Sequence, residues 1–226
     1  ETSLVRGTDG IVTFTNLRIA APKLALAGNG FRRRDGTFFF EGGGRHADYG
    51  PLRLNLDGRI ERPRLAIRLE RPMDTLGLSN VLLNLEPNAA GFAWRGEGGS
   101  TLGPFTGNGQ ILLPQGQPAT IQFAALNVSG TRASGALRSD PGGFSGVLDV
   151  AGGGLDGRLQ FNPLRGNQRI AVNLTANDAR FVGPPPIMVR RGTIEGVVLL
   201  DPGGTSIEGR MVARGLSRGP LSIANL

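Results

Sequence analysis

The chain contains no cysteine. That excludes a disulfide framework, a thiolate nucleophile and thiolate metal sites. It fits an oxidising compartment, where stray thiols are a hazard. Histidine occurs once, as His46, and lysine once, as Lys23. A lone lysine outside any Walker-type run leaves no phosphate-cradling loop, and Gly28-Asn29-Gly30-Phe31-Arg32-Arg33 lacks the third glycine of a dinucleotide fingerprint. Aromatics make up only 6%, with Trp94 and Tyr49 each the single example of its kind. No interfacial aromatic girdle is visible, which argues against a membrane barrel. No apolar run is long enough to cross a bilayer as a helix. Helix periodicity is nearly absent; the most helix-like stretch, 72–87, is interrupted by Gly77 and flanked by prolines.

What the sequence holds in excess is glycine, 37 of 226 residues against a usual share of about 7%. Glycine supplies the positive-φ positions of turns and bulges. Hydrophobic content of 39% is too high for a disordered chain. The net charge is +7, and with one lysine among 25 basic residues the base is almost all arginine. A GC-rich genome accounts for that bias; a basic surface also suits anionic partners.

Period-two alternation runs through the chain. Leu52, Leu54 and Leu56 alternate with Arg53, Asn55 and Asp57; Leu65, Ile67 and Leu69 alternate with Arg64, Ala66, Arg68 and Glu70. Further pairs are Phe92 and Trp94, Ile111 and Leu113, Ile121 and Phe123, Leu126 and Val128, Leu148 and Val150, and Leu159 and Phe161. Ile170, Val172 and Leu174 follow, then Ile194, Val198 and Leu200, then Ile207, Met211 and Ala213. Such alternation marks strands with one buried and one wet face. Turns are expected at Asp57-Gly58, Asn108-Gly109, Asp156-Gly157 and Asp201-Pro202-Gly203-Gly204. Gly-x-aliphatic triplets beginning at Gly58, Gly109, Gly135, Gly146, Gly157, Gly192 and Gly209 read as strand starts. Their intervals vary, so this is no fixed-period solenoid. Residues 1–226 read as a single β-rich segment of a longer chain, with its best break at the stiff proline stretch 182–187.

Chemistry-bearing motifs are few. Gly215-Leu216-Ser217-Arg218-Gly219 matches G-x-S-x-G, but that elbow needs a following helix and a downstream acid and histidine, and here Pro220 follows. His46 and Asp48 could give two metal ligands, with no second histidine to complete a site. Arg32-Arg33-Arg34, near Phe31 and Phe38, Phe39 and Phe40, could stack and neutralise single-stranded nucleic acid. Asp35-Gly36 instead makes that stretch a hairpin tip. Asn127-Val128-Ser129 and Asn173-Leu174-Thr175 match a glycosylation sequon that is common by chance. The expectation is a non-enzyme without cofactor or metal.

The stretches "DGRIERPRLAIRLERP", "GLDGRLQFNPLRGNQRIAVNLTAND" and "RRGTIEGVVLLDPGGTSIEGRMVARGL" resemble the β-repeat region of the TamB family, which is related to AsmA-like and bridge-like lipid-transfer proteins. The resemblance spans the chain and lies in repeat texture rather than in a diagnostic motif. It implies an all-β fold, an elongated antiparallel sheet curled into a U-shaped trough (a β-taco). It implies a segment of a periplasmic conduit, tethered to the inner membrane through residues outside this chain. Phospholipid acyl chains would ride in its hydrophobic groove, with a link to outer-membrane protein assembly through an Omp85-type partner and with no nucleic acid.

Physics points to the same shape. A sheet with one apolar face must close as a barrel, pair as a sandwich, or curl. The apolar faces here are mostly Leu, Ile and Val, without the larger aromatics of sandwich cores. Expected groove residues are Leu52, Leu54, Leu56, Leu65, Ile67, Leu69, Phe92, Trp94, Leu159, Phe161, Ile170, Val172 and Leu174. A register slip of one residue would exchange inside for outside. The alternative is a structural or adhesive β-rich spacer with a sealed core; a continuous arginine stripe would instead favour nucleic acid.

Overall fold

A computed structural model describes residues 3–72, 77–164, 167–182, 185–201 and 204–225. It contains seventeen strands and, among the described residues, no helix. The chain divides at Gly99/Ser100 into two compact units. The first contains β1 (Ser3–Arg6), β2 (Val12–Ala21), β3 (Leu24–Arg32), β4 (Thr37–His46), β5 (Gly50–Arg59), β6 (Arg64–Leu69), β7 (Ser79–Asn88) and β8 (Gly91–Ser100). The second contains β9 (Gly103–Leu112), β10 (Thr120–Val128), β11 (Thr131–Asp140), β12 (Gly143–Ala151), β13 (Leu155–Leu164), β14 (Asn167–Phe181), β15 (Ile187–Asp201), β16 (Gly204–Arg218) and β17 (Leu221–Asn225).

Each unit is an open antiparallel meander in which every strand pairs with its sequence neighbour. The expected all-β antiparallel sheet is therefore what forms. The break expected at 182–187 lies between β14 and β15, which continue to pair up to Phe181 opposite Ile187; residues 183–184 fall outside the described set.

The turn positions differ from expectation in an instructive way. Asp57-Gly58, Asn108-Gly109 and Asp156-Gly157 lie inside β5, β9 and β13. Chain reversal after β5 comes at residues 60–63 instead. Gly109, Gly135, Gly146, Gly157, Gly192 and Gly209 are likewise interior to strands, not strand starts. Residues 202–203 lie outside the described set, but the reversal expected there does fall between β15 and β16. The helix-like stretch 72–87 forms β7 from Ser79 onward, and its residues 73–76 are outside the described set.

Gly135, Gly146, Gly157, Gly192 and Gly209 sit on the apolar face, where a Cβ would collide with a carbonyl across the ladder. A Cβ at Gly157 (φ +147°) would lie 2.1 Å from the Asn173 carbonyl oxygen across the ladder, and at Gly135 (φ +147°) 2.2 Å from that of Val147. At this positive φ a Cβ would point at the neighbouring strand instead of away from the sheet. In β-sheets, glycine marks such close approaches. Bulges between Phe14 and Leu17, between Ser79 and Leu82, and between Phe123 and Leu126 add local coiling. At the first, Asn16 adopts φ 56° and donates its N–H to Asn29 Oδ1 at 2.9 Å.

The core lies on the inside of each bend. In the first unit Leu26, Phe38 and Phe40 are buried, with Phe14, Leu17, Leu24, Leu52, Leu54 and Leu56 packed against them. In the second unit a longer cluster runs from Ala133 through Leu148 and Leu155 to Ala179, Val189 and Ala213. In that unit the main approaches between strands that are not ladder partners join β12 with β14 and β11 with β13. These are next-but-one neighbours in the same sheet, not a second layer.

Phe40 is 0% exposed, so Phe40→Ala should lower the unfolding free energy by about 3–5 kcal/mol, as read by urea denaturation. Gly157→Ala forces both a strained φ and a carbonyl clash. It should cost about 1–3 kcal/mol or more by the same measurement, whereas Gly36→Ala, with open space around its Cβ, meets only the strain of φ +85°.

Candidate functional site

The apolar face can be built row by row from the ladder register, because antiparallel partners point to the same side. In the first unit one row runs Phe40, Leu56, Leu65, Leu85, Trp94. The next runs Gly42, Leu54, Ile67, Leu83, Gly96, and a third runs Gly44, Leu52, Leu69, Val81. Phe92, opposite Pro87, precedes Trp94 by two residues on the same face. In the second unit one row runs Gly135, Leu148, Leu159, Val172, Gly196, Gly209. It is flanked by Leu137, Gly146, Phe161, Ile170, Val198 and by Ala133, Val150, Gly157, Leu174, Ile194, Met211.

Every expected groove residue thus falls on the apolar face of its own unit: Leu52, Leu54, Leu56, Leu65, Ile67, Leu69, Phe92 and Trp94 in the first, and Leu159, Phe161, Ile170, Val172 and Leu174 in the second. Trp94 is buried and the others are half-buried. They are not the deepest residues. Phe40, Leu148, Ala179 and Ala213 lie deeper and were not among those expected. Phe40 was hidden in the run Phe38-Phe39-Phe40, where alternation is lost, although Phe39 turns to the other face and stacks on Phe31 at 5.2 Å. The usable signal was Gly-x-aliphatic, which places both glycine and aliphatic on one face.

The opposite face is polar. Arg158 reaches Asp149 at 2.9 Å and Arg64 reaches Glu86 at 2.7 Å, all four side chains well exposed. Open surface pairs of this kind add little to stability. Depressions on this side include one of about 950 Å³ bordered by Val147, Asp149, Arg158, Gln160, Arg169 and Glu195. Of the expected groove residues only Val172 borders it.

The motifs with possible chemistry resolve into structural roles. His46 Nδ1 accepts the Asp48 N–H at 3.1 Å, its ring stacks on Tyr49 at 4.7 Å, and Asp48 pairs with Lys23 at 2.9 Å. Among the described residues no group of three or more His, Asp or Glu side chains is placed to hold a metal ion. Ser217 lies within β16, opposite Met188 and Ser222, with no helix after it. Arg33 to Gly36 form the hairpin tip expected between β3 and β4, and Arg33 lies over the Phe31 ring at 4.8 Å from its centroid. Asp35 Oδ1 accepts the Thr37 N–H at 2.9 Å and the Thr37 hydroxyl at 2.7 Å.

Fold and face together define a class, an open all-β antiparallel sheet with one continuous aliphatic face in each unit. Comparison with protein-family models, with curated proteins and with solved structures finds no match to the chain.

The Thr37 backbone and hydroxyl hydrogen bonds, aided by Arg33 and Arg59, hold the Asp35 carboxyl below its ordinary value of 3.8. A depressed folded pKa stabilises the hairpin above the unfolded value and is lost as pH falls through the folded one. The protection of the Thr37 amide, its exchange measured against the intrinsic rate at each pH, should therefore be lost only as pH falls below the usual carboxylate range. In Asp35→Ala that protection should be weak at every pH and show no step in the carboxylate range.

Proposed function

We propose that this chain is a lipid-solvating segment of a TamB-like periplasmic conduit. In this reading it is not an enzyme. Its aliphatic face takes phospholipid acyl chains, while head groups and the polar face stay in water, and an Omp85-type partner is engaged through the parent chain. The observation that supports it is the registration of aliphatic side chains across consecutive strands in each unit, as in Leu56, Leu65 and Leu85 and in Leu148, Leu159 and Val172, without fixed polar anchors. Such a wall favours acyl chains by about 0.8 kcal/mol for each methylene removed from water and does not distinguish one chain from another.

A second reading is a β-rich spacer that binds nothing. The full burial of Phe40 and Ala179, both 0% exposed, favours it, since these residues need no ligand to cover them. The two readings part at the half-buried rows, which a lipid would cover and a spacer would leave partly wet.

The chain purified from a Gram-negative periplasm should carry phospholipid detectable by native mass spectrometry and by lipid extraction. Ile67→Asp/Val172→Asp should lose that lipid while keeping the β-sheet circular dichroism of the parent. A folded parent that carries no lipid would move the spacer reading ahead, and lipid retained in the variant would sink the groove assignment.

A further inference from the structure

The polar face of the second unit holds an arrangement that a passive wet surface does not require. Arg191 on β15 stands directly opposite Arg214 on β16. Like charges directly opposite in an antiparallel ladder repel. Neither guanidinium has an ion-pair or hydrogen-bond partner among the described residues.

The polar side chains around the pair are uncharged and able to donate. On its other side Arg191 faces Asn177, and the next row of the same face is Thr175, Thr193 and Val212. These side chains border a shallow depression of about 480 Å³ in which no carboxylate takes part. From Asn177 to Arg191 and from Met211 to Asn225 the one acidic residue is Asp178. It falls across from Arg190, between the register pairs Asn177–Arg191 and Ala179–Val189, and so outside the Arg191 row. Arg180, on β14, adds to the positive charge of this region.

The first unit supplies a comparison. Arg53 and Arg68 are also directly opposed, but their depression is bordered by Glu41, whose carboxylate offsets the charge locally. Arg158 likewise has its counter-charge directly across the ladder, in Asp149. Among the described residues the Arg191–Arg214 pair has none.

We infer that Arg191 and Arg214, with Thr175, Thr193 and Asn177, form an oxyanion site for a phosphate group, either a lipid head group or free phosphate. Two guanidinium forks can each give paired N–H donors to phosphate oxygens, and the adjacent Thr175 and Thr193 hydroxyls and the Asn177 amide can add donors without a competing carboxylate. Binding also relieves the cross-strand repulsion. The site lies on the polar face and does not rest on the acyl-groove reading; either can fail alone.

The test uses the whole chain. Arginine Nε–Hε resonances are followed by NMR while inorganic phosphate is added at constant ionic strength. Saturable shifts confined to Arg191 and Arg214 are expected. Affinity should fall about tenfold or more in Arg191→Gln/Arg214→Gln and stay unchanged in Arg53→Gln/Arg68→Gln. Phosphate should raise the Tm of the parent and of the second variant but not of the first. Both substitutions remove charge from exposed positions. Should the first variant fail to fold, Arg214→Lys keeps the charge, loses the fork and should still weaken phosphate binding.

Cosedimentation with phosphatidylcholine vesicles, with and without phosphatidylglycerol, separates the two sources. Binding that requires phosphatidylglycerol and is lost in Arg191→Gln/Arg214→Gln assigns the head group. Phosphate binding without vesicle binding assigns the free ion. Shifts that rise linearly and spread over all arginines overturn the site, as does a first variant that binds phosphate like the parent.

Discussion

In each unit the structure depends on an antiparallel sheet sheltering its own apolar face. A strand that is aliphatic on one side cannot leave that side in water, and no helix is present among the described residues to cover it. Within each unit the sheet bends until neighbouring side chains shelter one another. On that face the backbone is crowded. Where Gly44 stands, a Cβ would meet the Ala25 carbonyl oxygen at 1.9 Å, and at Gly146 it would meet that of Ala136 at 2.2 Å. Glycine is therefore required at these inner positions, where the backbone conformation or the neighbouring strand leaves no room for a Cβ.

The same geometry separates the two faces in kind. The inner face gains from contact and is sensitive to volume, as the buried ring of Phe40 illustrates. The outer face carries long arginine side chains whose ion pairs, such as Arg64 with Glu86, are exposed and weak. Charge can accumulate on that side at little cost, and in the Arg191–Arg214 row it does so without a local counter-charge. A chain with one lysine and so many arginines thus has two chemically distinct surfaces, one greasy and unselective, the other rich in rigid hydrogen-bond forks.

A conduit and a spacer place different demands on the inner face. A conduit needs aliphatic rows that a ligand can wet; a spacer needs them sealed. The chain holds both kinds of position, sealed ones around Phe40 and Ala179 and half-buried ones along Leu52, Leu54, Leu56 and Ile170, Val172, Leu174. The half-buried rows are the part of the molecule on which the lipid reading stands.

Alternation by itself determined that Leu52, Leu54 and Leu56 share a face, as do Leu65, Ile67 and Leu69, because side chains in a strand point to opposite sides in turn. Asp35-Gly36 likewise marked a hairpin tip by local turn chemistry alone. The Gly-x-aliphatic triplets were legible as a pattern but misassigned. Asp-Gly and Asn-Gly suit turns, and nothing local distinguishes Gly157, pressed against the Asn173 carbonyl, from a turn glycine. Only the ladder decided that, because the crowding comes from a strand many residues away. Tertiary structure alone also decided the division at Gly99/Ser100, the depth of Phe40 within its aromatic run, and the meeting of Arg191 with Arg214. Each depends on register between strands, which a period of two leaves open until the strands pair.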